Sequence, residues 1–534
     1  MSNINEEGLV NNEESKVVQL SKVLKIIVGV FAVLFIAALI MSIVLFGKVS
    51  SLKNTLEENE AIFKSDINRL EEQIIPLIAT ETLEVTDFTK FKEKSQSLSS
   101  EQKQKFGTIV FTKEITGSDV DLTELGSFPY VRKLEAKKLS DSEFLNFYNT
   151  IIKAENLKVS LPNVRIIDLS SNNMTEVKTL SERFSFGHAN QINLDNNKIE
   201  DISPLQFLTN IQSFRKILLR DNLIKDISVF ESIGSFPNLE TIDLVENEIT
   251  DFTPLGNVED FSSLVSIDLQ DNSPADISFL NTIKLNPLKF EELLIDLFEG
   301  ISDWTPLSSL KKYPNFKLLK ITNSSFKSLS SLLSLTQLKK AVLISNFIDN
   351  EDLDAFGTAK DMQLTDLDLS ANEFTSIGFL NGANLPFLNS LTIDNGKFDL
   401  LGLKNDTQAN LPSLKTVSFG HNMKISDVKL LAQQNWPVEN LFLDRNNITD
   451  ISAFANSTMT KLSQLDFSTN KVEDFCSLAN NSKLNLKVLS LGENMINTIT
   501  CLKGNTAFKT LEHLELDLNA INDDDVLNNI GKPI

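Results

Sequence analysis

The chain has 534 residues, of which 41% are hydrophobic and only 19 are glycine, so it is globular in composition and long enough to bury a large core. Its formal charge of −22 at pH 7 argues against nucleic-acid binding, which needs clustered Lys and Arg, and suits either solubility or a basic partner. Two cysteines and three histidines cannot make a four-ligand thiolate zinc site by themselves.

Residues 1–25 form a short polar arm. Ile26 to Gly47 then run for 22 residues without a charge, a helix of about 33 Å against a hydrocarbon core of ~30 Å. No A-x-A cleavage pattern ends this stretch, which predicts an uncleaved transmembrane helix over 26–47 with the lipid bilayer as its partner. A cleaved signal peptide is the alternative. Lys16, Lys22 and Lys25 on one side, against Lys48 and Lys53 on the other, place the N-terminus inside by a narrow margin. The expectation is a single-pass membrane protein with its large C-terminal domain extracellular or lumenal.

Residues 48–80 read as an amphipathic helical stalk. Leu56, Phe63, Leu70 and Leu77 fall seven apart, which allows self-association as a coiled coil. Asn59 and Asp66 sit at the complementary core positions, so a helix that only spaces the domain from the membrane is equally compatible. Residues 81–160 are assigned as linker and N-terminal cap with degenerate repeats. The pairs Ile109/Phe111 and Leu134/Ala136 lie 25 apart, with Glu114 and Leu139 where a repeat asparagine would stand and a helix predicted from Asp141 to Ala154.

From 161 to 534 one residue type sets the period. Asn172, Asn197, Asn222, Asn247 and Asn272 are spaced by 25, and Asn346, Asn372, Asn422, Asn446, Asn470, Asn494 and Asn519 continue the series. Each has apolar residues five and three positions before it and two, five and eight after it, as in Ile192, Leu194, Asn197, Ile199, Ile202 and Leu205. Two apolar residues one position apart are the buried face of a short strand. One such unit cannot cover its own apolar face, so the units must stack into a solenoid with strand beside equivalent strand. The asparagine falls where the chain leaves the strand, and its amide has both donors and an acceptor for backbone groups the bend leaves unpaired.

Segments such as Leu239–Ile249, Leu364–Phe374 and Leu511–Ile521 carry the pattern L-x-x-L-x-L-x-x-N-x-I, or its close variant, and the second halves read DISPL, DFTPL, DISFL and DISAF. The chain thereby resembles the leucine-rich-repeat proteins, in the internalin-like or SDS22-like subtype. The resemblance implies an α/β solenoid, a horseshoe with a parallel β-sheet on its concave side and short turns or 3-10 segments on its convex side, built of about 15 repeats. Ser324 and Gly396 replace the ladder asparagine, Pro274 takes an apolar inward site, and the repeat Phe290–Leu307 slips by a residue.

No catalytic constellation accompanies the repeats. His188, His421 and His513 stand in no known hydrolase, zinc-protease or nucleotide-binding motif, so no enzyme activity, cofactor or metal is expected. Cys476 and Cys501 occupy neighbouring places in successive repeats, six residues after Asn470 and seven after Asn494; a disulfide and two free thiols both fit. Sequons at Asn173, Asn323, Asn405, Asn447, Asn456 and Asn480 would be usable in a secretory lumen, and an Asn- and Ser-rich chain also makes them by chance.

The residues one, two, four and six before each asparagine are expected to point away from the core. Among them Leu318, Lys320, Lys340, Val342 and Ile344 form an apolar patch with two cations, and Phe442 with Asp444 and Arg445 makes a second candidate for partner binding. These features predict a membrane-anchored protein that recognises another protein, as a surface receptor or adhesin. A cytosol-facing SDS22-like scaffold for an enzyme such as a phosphatase is the alternative, and a purely structural surface-layer protein is a third reading.

Overall fold

The computed structural model describes residues 81–85, 91–111, 128, 131–136, 159–160, 163–296, 300–359, 361–404, 409–481, 483–502, 508 and 510–522. The arm, the 26–47 segment, the stalk, the Asp141–Ala154 helix, Asn405 and the 523–534 tail lie outside them. Among the described residues no helix is long and apolar enough to cross a membrane. The chain divides into two compact units, 1–135 and 136–534.

In the first unit the strand Glu81–Val85 runs parallel to Phe106–Phe111, with Leu83 opposite Ile109 and Val85 opposite Phe111. Leu83, Val85, Ile109 and Val110 are buried. Two short helices, Phe91–Ser97 and Ser100–Lys103, connect these strands. The second is fixed by a capping box: Gln102 N–H donates to Ser99 Oγ at 3.2 Å and Ser99 N–H donates to Gln102 Oε1 at 2.8 Å, which satisfies two amides at the helix start. Residues 81–85 and 91–103 thus supply a strand and two short helices beside the strand Phe106–Phe111.

In the second unit every repeat frame contributes one short strand, from Ile166–Asp168 to His513–Glu515, the slipped repeat included as Glu292–Asp296. Each strand pairs in parallel with the equivalent strand of the next coil, as Thr241–Asp243 does with Ser266–Asp268. Most return limbs among the described residues carry short 3-10 or α-helical segments, such as Ser203–Phe207, Thr253–Asn257 and Ser452–Asn456. Several begin at an aspartate whose Oδ1 accepts an N–H two residues on: Ser203 from Asp201, Thr253 from Asp251 and Ser452 from Asp450, each at 2.7 Å. The DIS and DFT motifs are thus turn-starting signals. Between sheet and limbs lies the core, where Ile192, Leu194, Ile199 and Ile202 are fully buried, each burial being worth roughly 1.5–3 kcal/mol.

The asparagines stitch the coils. Asn222 Nδ2 donates to Leu219 O and Arg220 O of its own coil, both at 3.1 Å, and to Leu194 O of the coil before at 3.0 Å. Its Oδ1 accepts Ile199 N–H, also from the coil before, at 3.0 Å. Where the frame breaks, this exchange is replaced. Ser324 is buried and its hydroxyl donates to Thr322 O of its own coil at 2.7 Å. At Gly396 the Phe398 ring fills the ladder site, so that a Cβ there would lie 2.5 Å from the ring. Pro274 stands where other repeats offer an N–H to the next ladder amide; it has none to offer, and the following repeat has no asparagine to accept one. The two departures match each other.

A feature of the turn has no counterpart in the sequence pattern. The residue just before the ladder position is left-handed in nearly every coil, for example Ser171 (φ 56), Glu246 (φ 55), Ala371 (φ 54), Arg445 (φ 53) and Leu518 (φ 53). That backbone costs about 1–2 kcal/mol for a residue with a Cβ. It is offset because the N–H continues the inter-coil ladder, as Ser171 does to Asp195 O at 2.8 Å.

Candidate functional site: the outward face of the sheet

Alternation along each strand sends the residues four and six before the ladder position outward, joined just beyond the strand by the residue two before it. Register then lines these up across the coils. One row runs Asp268, Leu294, Lys320, Val342, Asp368, and the row beside it Ser266, Glu292, Leu318, Lys340, Asp366. Neighbouring strands are ~4.8 Å apart, so the two aspartates of the first row stand about 19 Å apart. Leu294, Leu318, Val342 and Ile344 are half-buried on the three strands between them, grouped around Lys320.

Leu294 was not among the sequence candidates, because the slipped repeat hides it from a count made back from an asparagine. Lys320 is not a free cation: its Nζ reaches back across two coils to Gln270 Oε1, whose amide nitrogen donates to both oxygens of Asp268 at 3.0 and 3.2 Å. Lys340 is exposed.

On the N-terminal side of this group an Arg220 network holds the face together. Arg220 Nε donates to Asp243 Oδ2 at 3.2 Å, and its terminal nitrogens lie 3.5 Å from Glu246 Oε1 and 3.9 Å from Asp268 Oδ2. Its backbone N–H donates to Asp195 Oδ1 at 2.8 Å. Burial pushes the Asp195 carboxyl up to about 6, with the charges of Asp243 and Asp168 adding to the shift and the Arg220 N–H opposing it. Burial likewise raises Asp268, against the hydrogen bonds from Gln270. This cluster was not singled out from the sequence. Reading the residues one and two before each asparagine beside those four before them finds it.

Toward the C-terminus, Asp394 Oδ1 accepts both the Ser418 hydroxyl and the Gly420 N–H at 2.7 Å. Gly420 allows this crowding, since a Cβ there would stand 2.7 Å from Asp444 Oδ1. Asp444 is raised by burial first and by Asp466 next, with His421 opposing; His421 Nε2 lies 3.5 Å from Asp444 Oδ2. Phe442 is half-buried on its strand between Ser418 and Asp466. Arg445 is the left-handed residue of the turn just beyond the strand, and its exposed guanidinium stands at the rim, with Nε 3.9 Å from Asp444 Oδ2.

The remaining candidates lie off this face. Cys476 and Cys501 are joined as a disulfide across successive coils on the return limbs, with Cα atoms 5.4 Å apart. Among the sequons, Asn456 and Asn480 are exposed and Asn173 and Asn447 half-buried. The exposed Asn323 donates through its amide nitrogen to Asp296 at 3.0 Å. Among the described residues no group of His, Cys, Asp or Glu has the arrangement of a metal site.

No protein-family profile and no curated protein matches the sequence. Solved structures of similar arrangement include an internalin from Listeria monocytogenes, 22% identical with a TM-score of 0.39, covering 69% of this chain and 88% of that one. A leucine-rich-repeat protein of Leptospira interrogans is 16% identical with a TM-score of 0.40, over 83% of this chain and 97% of the other. The plant peptide hormone receptor RGFR1 in complex with RGF2 is 17% identical with a TM-score of 0.36, over 81% and 85%.

Proposed function

We propose that this leucine-rich-repeat solenoid is a recognition module that binds another protein through the outward face of its sheet. The observation that carries the reading is the grouping of Leu294, Leu318, Val342 and Ile344 on three adjacent strands, around Lys320 and between Asp268 and Asp368. Apolar side chains grouped on a surface, rimmed by charge, are the usual anatomy of a protein-binding site. The acidic rim favours a partner with basic groups around an apolar centre.

We further propose that the solenoid is presented outside the cytosol, as a receptor or adhesin held by the apolar segment 26–47. The Cys476–Cys501 disulfide supports this, because such bonds persist in oxidising compartments. Protease added to intact cells should cleave the repeats; repeats that survive it would place them on the cytosolic side, as the enzyme-scaffold alternative requires. For the face itself, a photo-crosslinking residue at Leu318 in the full chain should trap one partner species. Val342→Asp with Ile344→Asp should remove that species while the urea midpoint stays unchanged. Undiminished crosslinking in the double variant would refute the assignment.

A further inference from the structure

The chain contains two Asn-Gly dipeptides, Asn381–Gly382 and Asn395–Gly396, and the fold treats them oppositely. Asn381 is locked: its Nδ2 donates to Gly402 O at 2.8 Å and its Oδ1 accepts Lys404 N–H at 2.9 Å. Gly382 N–H donates to Phe379 O at 3.4 Å. Asn395 is exposed and left-handed (φ 53), and among the described residues its side-chain amide has no hydrogen-bond partner. The Gly396 N–H is also unpaired there. In three N-terminal coils the backbone amide at this ladder position donates to the next coil: Asn197 to Asp221 O, Asn222 to Glu246 O and Asn247 to Asp271 O.

We propose that Asn395–Gly396 is a site of spontaneous covalent modification, at which the asparagine converts to aspartate and isoaspartate. The Gly396 backbone nitrogen attacks Asn395 Cγ, a C–N bond forms, and ammonia leaves carrying the Gly396 amide proton, giving a five-membered succinimide. Water then adds to one ring carbonyl and opens the ring. Opening at Cγ gives aspartate; opening at the main-chain carbonyl gives isoaspartate, with the backbone routed through the former side chain. Glycine is what leaves the attacking nitrogen unshielded. The same glycine is fixed by packing, since a Cβ at 396 would meet the Phe398 ring at 2.5 Å. The reactive dipeptide is thus a consequence of filling the ladder gap with an aromatic ring. Its product places a new negative charge beside Asp394, at the rim of the outward face.

Asn381 is the internal control. The full chain is aged in mildly alkaline buffer, digested, and the isoaspartate at each dipeptide is quantified by mass spectrometry with isoaspartyl methyltransferase labelling. The folded chain should accumulate it at 395 on the order of tenfold faster than at 381, where two amide hydrogen bonds must open first. In urea the two rates should converge. Asn395→Gly, which suits the left-handed backbone, should abolish the signal at that peptide and leave 381 unchanged. Equal rates in the folded chain, a faster rate at 381, or no product at 395 while the unfolded chain reacts at both would each overturn the proposal.

Discussion

The amide of Asn247 donates to Leu219 O, in the preceding coil, at 2.9 Å. Its Oδ1 accepts Ile224 N–H from that same coil at 3.1 Å, so one side chain closes a donor and an acceptor between two coils. Asn422 holds the same ladder position with less: its Nδ2 donates to Phe398 O at 2.7 Å, and its buried Oδ1 accepts no hydrogen bond among the described residues. The regular donor, the N–H two residues after the preceding ladder site, belongs here to Phe398, whose carbonyl accepts the Asn422 amide; Asn446 has the same unpaired buried Oδ1.

The two asparagines should therefore differ in what they contribute. Asn247→Ala strands buried backbone groups and should cost about 1–3 kcal/mol. Asn422→Ala gives up one bond and relieves an unpaired carbonyl, so its cost should be clearly smaller. Urea denaturation of both variants checks the order. Equal losses would mean that the coil-to-coil exchange at Asn247 is not what stabilises it.

How far the sequence reveals this molecule depends on where the physics sits. The ladder asparagines are legible because an inward amide that must both donate and accept can hardly be anything else. The left-handed residue before each of them is not, since Ser171, Glu246, Arg445 and Leu518 share a conformation and no chemistry. The shape there is imposed by inter-coil backbone bonds and the buried amide, and the side chain has no vote. Leu294 fails for a different reason: its strand keeps the apolar alternation Leu293, Ile295 but has no asparagine to count from. The Arg220 cluster was written in the sequence and needed three rows set side by side, because its members come from four coils.

Asp195 gives the face a pH dependence of stability with a definite sign. Its folded value of about 6 lies above its ordinary 3.8, so the folded chain holds this proton more tightly than the unfolded chain. Its stabilising contribution is full below 3.8 and is lost as pH rises toward 6; above that, the half-buried charge is a net cost. Asp195→Asn removes the charge and keeps an oxygen to accept the Arg220 N–H. The variant should be more stable than the parent near neutral pH by about 1 kcal/mol, a figure discounted for solvent screening of a partly exposed group. That advantage should vanish as the pH falls below 3.8. Urea midpoints at neutral and acid pH test this, and a constant difference between the two proteins would contradict it.

The Cys476–Cys501 bond closes a segment of 25 residues, which in the chain-entropy account is worth roughly 3 kcal/mol. In a solenoid that contribution cannot be spread evenly, because each coil interacts only with its neighbours. The affected coils are those carrying Asn470, Asn494 and Asn519, whose amides link them through Val472 N–H at 2.9 Å and Ile496 N–H at 2.9 Å. Cys476→Ser with Cys501→Ser should therefore speed hydrogen exchange at Val472, Leu491 and Ile496. Ile199 and Ile224, bonded to Asn222 and Asn247 far along the stack, should keep their protection. Reducing agent should reproduce the pattern in the parent chain. Loss of protection along the whole solenoid, or none at the C-terminal coils, would show that the staple does not act through its own coils.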